Sequence, residues 1–328
     1  LLLAALVWWK PQVLLPSSSN PACAELTVVI AARNEADNLG PCLQSLLTQP
    51  GVAQIRVVDD HSTDATATVV ELFRARDERI VLISASTLPA GWLGKSHAMH
   101  SGAQGISTPY LLFTDADVIF GPGIIATALQ YMAAAKLDHL GGHFFVDCRS
   151  VAEEICAPLL VLSSSLALFG TADSLGAATG AFNLVSTGVY QRHGGHAPIK
   201  SEIVDDVALA RHLKSSGARS GFVSMDDFLK VRLFVGLRGF VAAVARSAIP
   251  FLQLGSFVVC LLTIFCMGLA LLPLVSFVGA ILIVISPATP AEIVTACLLG
   301  PLPYVLGFLA IRLARRFHNG RSLFQWCY

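Results

Sequence analysis

Two aspartates one residue apart, Asp115 and Asp117, close an apolar run that reads Leu-Leu-Phe-Thr-Asp-Ala-Asp-Val-Ile-Phe from Leu111 to Phe120. At the C-terminal end of a buried strand, an Asp-x-Asp turn can aim two hard oxygen ligands at one divalent cation. Such a cation keeps positions open for substrate phosphates, as Mg2+ and Mn2+ sites usually do. A polar turn after a strand would look the same in isolation, so the weight comes from the company the pair keeps. Two more acidic clusters end strand-like runs, Arg33-Asn-Glu35 after Leu26–Ala32, and Asp59-Asp-His-Ser-Thr-Asp64 after Ile55–Val58. Gly94-Lys95 opens a helical stretch, where backbone N–H groups favour phosphate. The G-x-x-x-x-G-K-[ST] spacing of a Walker loop is absent.

Elements must present these residues together, and their order says how. Leu26–Ala32 reads as a buried strand, and a helix runs from Arg33 through Leu47. Ile55–Val58 is a second strand, followed by a helix near 65–76. Ile80–Ile83 is a third, then the loop Leu88-Pro-Ala-Gly-Trp-Leu-Gly-Lys95 leads into a helix and on to the Asp-x-Asp strand. This β-α-β-α-β order predicts a Rossmann-like, mostly parallel sheet with helices on both faces. Ligands bind beyond the carboxyl ends of such strands, so the three acidic clusters should converge there. Farther on, 140–146 reads as a strand and 151–170 as a long apolar helix. Gly176–Val185 is a small-residue loop entering a strand, Ile203–Leu213 a helix start, and Gly221–Ser224 a short strand.

The ends differ in composition. Of 328 residues 54% are hydrophobic and 13% charged, with formal net charge zero. A soluble domain carries roughly 25% charge, so part of this chain belongs in lipid. The balanced charge gives no argument for a nucleic-acid partner. Leu1–Trp9 before Lys10 reads as the interfacial end of a truncated transmembrane helix (1–10), with 11–25 a Pro- and Ser-rich linker and 26–230 a domain of ordinary soluble composition. Residues 231–248 alternate apolar positions with Arg232, Arg238 and Arg246, the pattern of a helix on a membrane surface. From Ile249 to Ile311 only Glu292 is charged. Basic clusters on both sides favour two crossings over three, with 312–328 a truncated cytoplasmic tail. The eight cysteines show no C-x-x-C pair and read as free thiols in a reducing compartment.

The motifs Val28-Val-Ile-Ala-Ala-Arg-Asn-Glu35, Val57-Val-Asp-Asp-His-Ser-Thr-Asp64, Gly94-Lys-Ser-His-Ala98, Thr114-Asp-Ala-Asp117 and Val204-Asp-Asp-Val-Ala-Leu209 stand in an order that resembles the family 2 glycosyltransferases. The resemblance implies the GT-A fold and a nucleotide-diphosphate sugar donor, most simply UDP-linked. It is closest to membrane-bound members that act on hopanoids and carotenoids, carried by Leu88–Lys95, Ile203–Arg211 and Val244-Ala-Arg-Ser-Ala248. It implies that Glu35, Asp59 and Asp60 hold the nucleoside, Asp60 being the favoured base reader. Arg33 and Lys95 become donor contacts, Asp115 meets ribose or sugar, and Asp117 holds Mn2+ or Mg2+. Asp64 is expected only to cap the next helix.

Asp206 matches the family's catalytic carboxylate, a general base for the acceptor hydroxyl. Asp205 stands where the family has glutamate. One base and direct displacement imply inversion at the anomeric carbon. Gly180 and Asn183 match the acceptor-side loop, although a tight turn explains that glycine equally well. Trp92 is a candidate for the sugar or lipid pocket and equally for plain packing. His97 and His100 show no partner pattern. The Gln-x-x-Arg-Trp motif of processive members is missing, with Gly236-Leu-Arg-Gly-Phe240 in its region, which favours a single transfer. Arg238 and Arg246 could hold diphosphate or lipid headgroup, or simply anchor the chain. The expected enzyme is a membrane-anchored transferase with its catalytic domain facing the cytoplasm and a hopanoid, carotenoid-like or polyprenyl acceptor. The alternatives are transfer to a polyprenyl phosphate and a non-catalytic membrane scaffold.

Overall fold

A computed structural model describes residues 12–13, 25–150, 153, 157, 176–225, 228–236 and 238–243. The chain divides into two compact units, one of Pro11–Arg149 with Leu168–Val235, the other of Leu1–Lys10, Ser150–Ala167 and Gly236–Tyr328. The first carries the acidic motifs.

Its centre is an eight-stranded sheet. The strands are β1 (Gln12–Val13), β2 (Leu26–Ala32), β3 (Val52–Asp59), β4 (Ile80–Ser84), β5 (Tyr110–Asp115), β7 (His139–His143), β9 (Asn183–Ser186) and β10 (Ser220–Ser224), in the order β1-β10-β7-β9-β5-β2-β3-β4. Only β9 runs against its neighbours, β5 and β7, so the sheet is mixed and mostly parallel. β1 lies inside the stretch read from sequence as a linker and pairs in parallel with β10. The run Leu111–Phe120 is two strands, because the chain turns at Ala116 and Asp117. Its second part, β6 (Val118–Phe120), joins β11 (Leu229–Val231) and β8 (Phe145–Val146) in a separate three-stranded sheet.

The helices are α1 (Ala36–Leu47), α2 (Thr66–Arg74), α3 (Gly94–Gly102), α4 (Ile124–Ala134), α5 (Thr187–Arg192) and α6 (Asp205–Ser215), with a 3-10 turn at Ala197–Ile199. The pleat sends alternate strand residues to opposite faces. Val28, Ile30, Ile55, Val57 and Leu112 pack with Leu39, Cys42, Leu43 and Leu46 of α1, with Val70 of α2 and with α4. Val29, Leu111 and Phe113 pack with Met99 and Ala103 on the α3 side and with Leu209 and Leu213 of α6. Helices therefore cover both faces, as the β-α-β order predicts. In α1 the buried residues recur at the three- and four-residue spacing of one helical face. The apolar Ile124–Ala134 helix and the strand Leu229–Val231 have no counterpart in the elements read from sequence.

The rim of the sheet is shaped by register and by one close helix. Parallel register sets Ala32 beside Asp59 and Ala31 beside Asp115, so the acidic strand ends share that rim. Beside it α3 rides close to the sheet through Gly102, where a Cβ would lie 2.5 Å from Val29 Cγ1 and 2.8 Å from Val58 Cγ2.

Among the described residues no helix is long and apolar enough to cross a membrane. The apolar segments 1–10 and 249–311, Arg246 and, apart from Glu153 and Ala157, the helix expected at 151–170 lie outside the described residues. In the second unit Arg238 is exposed, and the Gly236 N–H donates to Glu153 Oε1 at 2.9 Å.

Candidate active site

Lys95, in the first turn of α3, lies among carboxylates. Its Nζ is 2.7 Å from Asp115 Oδ1 at the end of β5 and 3.4 Å from Asp205 Oδ1 at the start of α6. The partners come from distant parts of the chain and differ in exposure, Lys95 and Asp115 being partly open while the Asp205 side chain is 8% exposed. Burial works against the ammonium, but Asp115, Asp205 and Asp206 prevail and raise its pKa well above the ordinary lysine value. Asp206 follows Asp205 at the helix start and its Oδ1 accepts the Val207 N–H at 2.8 Å. Burial, then the Asp205 charge, raises the Asp206 carboxyl to about 7, with Lys95 pulling the other way. A carboxylate in that range suits proton abstraction near neutral pH.

Asp115 is seated by backbone. Its N–H donates to the Gly180 carbonyl at 2.8 Å, and its carboxylate lies so close over Gly180 that a Cβ there would collide with Oδ2. The close approach gives Gly180 its purpose. Two residues on, Asp117 is half-buried, and its Oδ1 has no hydrogen-bond partner among the described residues. Burial, then the charges of Asp115 and Glu35, raises its carboxyl to about 7. An uncompensated buried oxygen among carboxylates is the environment a divalent cation relieves, and hard oxygen donors suit Mg2+ or Mn2+. Among the described residues no three His, Cys, Asp or Glu side chains could by themselves hold a metal ion. A cation at Asp117 would therefore share its shell with substrate oxygens, as P-loop and similar magnesium sites do.

A second cluster lies at the ends of β2 and β3. Asp60 packs against the head of α3, where a Cβ on Gly94 would lie 2.6 Å from Asp60 Oδ2. Arg33 Nη1 stands 3.6 Å from Asp60 Oδ2, and His61 Nδ1 3.3 Å from Oδ1. Asp59 turns inward, its Oδ1 accepting the Ser62 N–H. Glu35 Oε2 accepts from Asn38, and the Glu35 charge also reaches Asp117 and Cys42. Gly94-Lys95 thus joins the two clusters: Asp60 on one side, Asp115 and Asp205 on the other.

Other residues singled out from sequence sit differently. Asp64 is not the cap of α2, whose N-cap position is Ala65; one of its oxygens accepts the Thr66 N–H and the other the Ala36 N–H at the head of α1. It therefore ties two loops together. Trp92 packs edge-on to His97 and tilted against His100, with centroids at 5.6 and 4.9 Å. Asn183 is buried, with both ends of its amide engaged. Sequence reasoning missed Asn34, whose φ of 58° and side-chain bond to the Thr63 N–H lock the two loops. Asparagine tolerates that left-handed backbone better than most residues, and this was the available signal. It also missed Cys42, a buried thiol 3.8 Å from the Asp115 carbonyl, which burial and the nearby carboxylates hold protonated.

The model of the family described as Glycosyl transferase family 2 matches residues 27–186. The chain carries a family 2 glycosyl transferase domain. The match takes in Glu35, Asp60, Lys95, Asp115, Asp117, Gly180 and Asn183 and ends before Asp205 and Asp206. Among curated proteins, the 4,4'-diaponeurosporenoate glycosyltransferase of Staphylococcus aureus strain bovine RF122 / ET3-1 is 34% identical over 116 residues, 35% of this chain and 30% of that protein. Its counterpart in strain USA300 is 37% identical over 95 residues, 29% of this chain and 24% of that one. The matched stretch thus spans less than a third of either relative. A solved mannosyltransferase from Pyrobaculum calidifontis, in complex with GDP-Man and Mn2+, aligns with 99% of this chain and 84% of its own at a TM-score of 0.51 and 18% identity. That likeness bears on the fold, which is α/β of the GT-A kind.

Proposed function

We propose that this family 2 domain moves one sugar from a nucleotide-diphosphate donor, UDP-linked in the simplest case, to the hydroxyl of a lipid acceptor, with inversion at the anomeric carbon. The observation that carries the reading is the convergence of Lys95, Asp115, Asp205 and Asp206 from three separate elements at the rim where Asp117 and Asp60 also lie. The nucleoside lies along Asp60, Asp59 and Arg33, with Glu35 between that end and the Asp-x-Asp turn. Lys95 offers its ammonium to the diphosphate. Asp117, with Asp115 beside it, holds a divalent cation, which when bound neutralises charge on the departing diphosphate. Asp206 takes the acceptor's proton as the hydroxyl attacks.

Apolar surface supports the acceptor class. Leu88 and Leu93 before Lys95, and Ile203 and Val204 before Asp205, are large hydrophobic side chains left 38–47% exposed. The Leu93 N–H donates to the Lys200 carbonyl at 2.8 Å, which brings the two apolar loops together beside the base. Exposed apolar residues grouped at a site suit an apolar ligand. Such an acceptor goes with a chain held at the membrane by its apolar segments, its site on the cytoplasmic side. The curated relatives' names point to a carotenoid-type acceptor.

The test is donor hydrolysis by membranes bearing the full chain, across UDP- and GDP-sugars, with Mn2+, Mg2+ or chelator, beside Asp117→Ala. Cation-dependent release from one donor, lost in the variant, supports the reading and names the sugar. Release that persists in chelator and in Asp117→Ala would remove the cation from it.

A further inference from the structure

Asp206 lies in the first turn of α6. The four residues before α6, Ser201 to Val204, are all exposed. Among the described residues, the Asp206 Oδ1 accepts the next residue's own N–H. Among the described residues, a side-chain hydrogen bond reaches it from another element through Asn183, the first residue of β9, whose Nδ2 donates to the Asp206 carbonyl at 3.2 Å. Asn183 is 2% exposed, and behind it stands His139, the first residue of β7 and wholly buried, with Nε2 2.8 Å from Asn183 Oδ1.

The proton positions in this chain follow from one fixed end. A backbone carbonyl can only accept, so the amide must turn its NH2 toward Asp206. Its oxygen then faces His139, and the imidazole must carry its proton on Nε2. That leaves Nδ1 bare, and Nδ1 has no partner among the described residues. Burial, with the Lys214 charge adding to it, holds the ring neutral by lowering its pKa to about 4, against the pull of the Asn183 bond. Every link is therefore determined, and a misturned amide would set two acceptors against each other.

We infer that Asn183, oriented by His139, is a positioning residue that fixes the first turn of α6 and with it the Asp206 carboxylate. The inference rests on the general-base role proposed for Asp206. It gives Asn183 a task beneath the site and removes it from the acceptor surface. It also explains why a fully buried polar pair is tolerated in the sheet, since its bonds end on a backbone group beside the reacting centre.

The experiment uses full-length chain in membranes, with the donor identified by hydrolysis and total bacterial lipid extract as acceptor. Turnover at saturating lipid is read beside UDP and GDP binding in Mn2+. Asn183→Ser, too short to reach Asp206, should lower turnover roughly 10- to 100-fold, the scale of an ångström-level misplacement, with nucleotide affinity within about twofold. His139→Phe should act alike, and His139→Gln, which keeps a side-chain N–H for Asn183, should recover most of the rate. Full turnover in Asn183→Ser, or nucleotide binding lost in step with turnover in both Asn183→Ser and His139→Gln, overturns the positioning role. Asp206→Asn run alongside separates the premise: if it turns over normally, the general-base reading is what fails.

Discussion

The two sides of the site are built differently. On the side proposed for the nucleoside, two strand-end loops are laced together by side chains. Asn34 accepts from the Thr63 N–H and Oγ1, the Asn34 N–H donates to Ser62, the Glu35 N–H to Thr66, and Asp64 accepts from both Ala36 and Thr66. On the side proposed for the acceptor, the side-chain contacts to the start of α6 among the described residues come from the Asn183 amide and Lys95, beside an exposed apolar loop. The first pair of loops is thus tied by a set of reciprocal bonds, whereas the start of α6 is reached by fewer. Under the proposed function this division saves ordering cost on the nucleotide side.

Acid should widen this contrast most. His139 and His196 are buried on the acceptor side, and burial lowers them to about 4 and about 3, below the 6.5 of a free imidazole. The unfolded chain therefore binds protons that the folded chain refuses. Stability is full above about pH 6.5 and falls as the pH drops toward 4, on the order of 3 kcal/mol from His139 alone. On the donor side, hydrogen bonding by Thr66 holds Asp64 below the usual carboxylate range, so that half keeps its bonds to lower pH. Hydrogen exchange at pH 5 should open residues 183–215 before residues 26–66. Uniform opening of both would erase the distinction.

Gly180→Ala probes the seam between the halves. Its new Cβ displaces the Asp115 carboxylate, and with it the contact to Lys95. A roughly tenfold rise in KM for the nucleotide sugar, about 1.4 kcal/mol, is expected with little change in Tm, because the glycine is not in a left-handed backbone. An unchanged KM would mean that Asp115 does not meet the donor.

An effect of similar size belongs to the lacing itself. Asn34→Ala loses the bond to the Thr63 N–H and places alanine at φ 58°, which should cost about 1–2 kcal/mol in thermal denaturation. Asn34→Gly relieves the backbone but not the lost bond, so it should recover part of that. Equal losses in both variants would assign the whole effect to the hydrogen bond.

Much of the donor half was legible from residue order. Leu26–Ala32 is a strand to the residue, and the acidic ends converge because parallel strands in register end on one rim. The acceptor half was not. Asn183 looked like a loop residue open to substrate, yet β9 runs antiparallel between β5 and β7 and buries it. The break at Ala116 and Asp117, which sends Val118–Phe120 to a second sheet, is equally silent in a run whose apolar character continues through it.

The sequence by itself determined the alternation of strands and helices, the carboxylates at the strand ends and the glycine–lysine pair at a helix head. Each is a local property, set by side-chain period and by the polarity of residues where a strand leaves the sheet. Only the tertiary structure decided that Lys95 stands between Asp115 and Asp205, that Gly180 is the bed of Asp115, and that His139 reaches Asp206 through Asn183. Those are contacts between elements far apart in the chain. They depend on how closely two backbones approach, a distance that no spacing along one of them encodes.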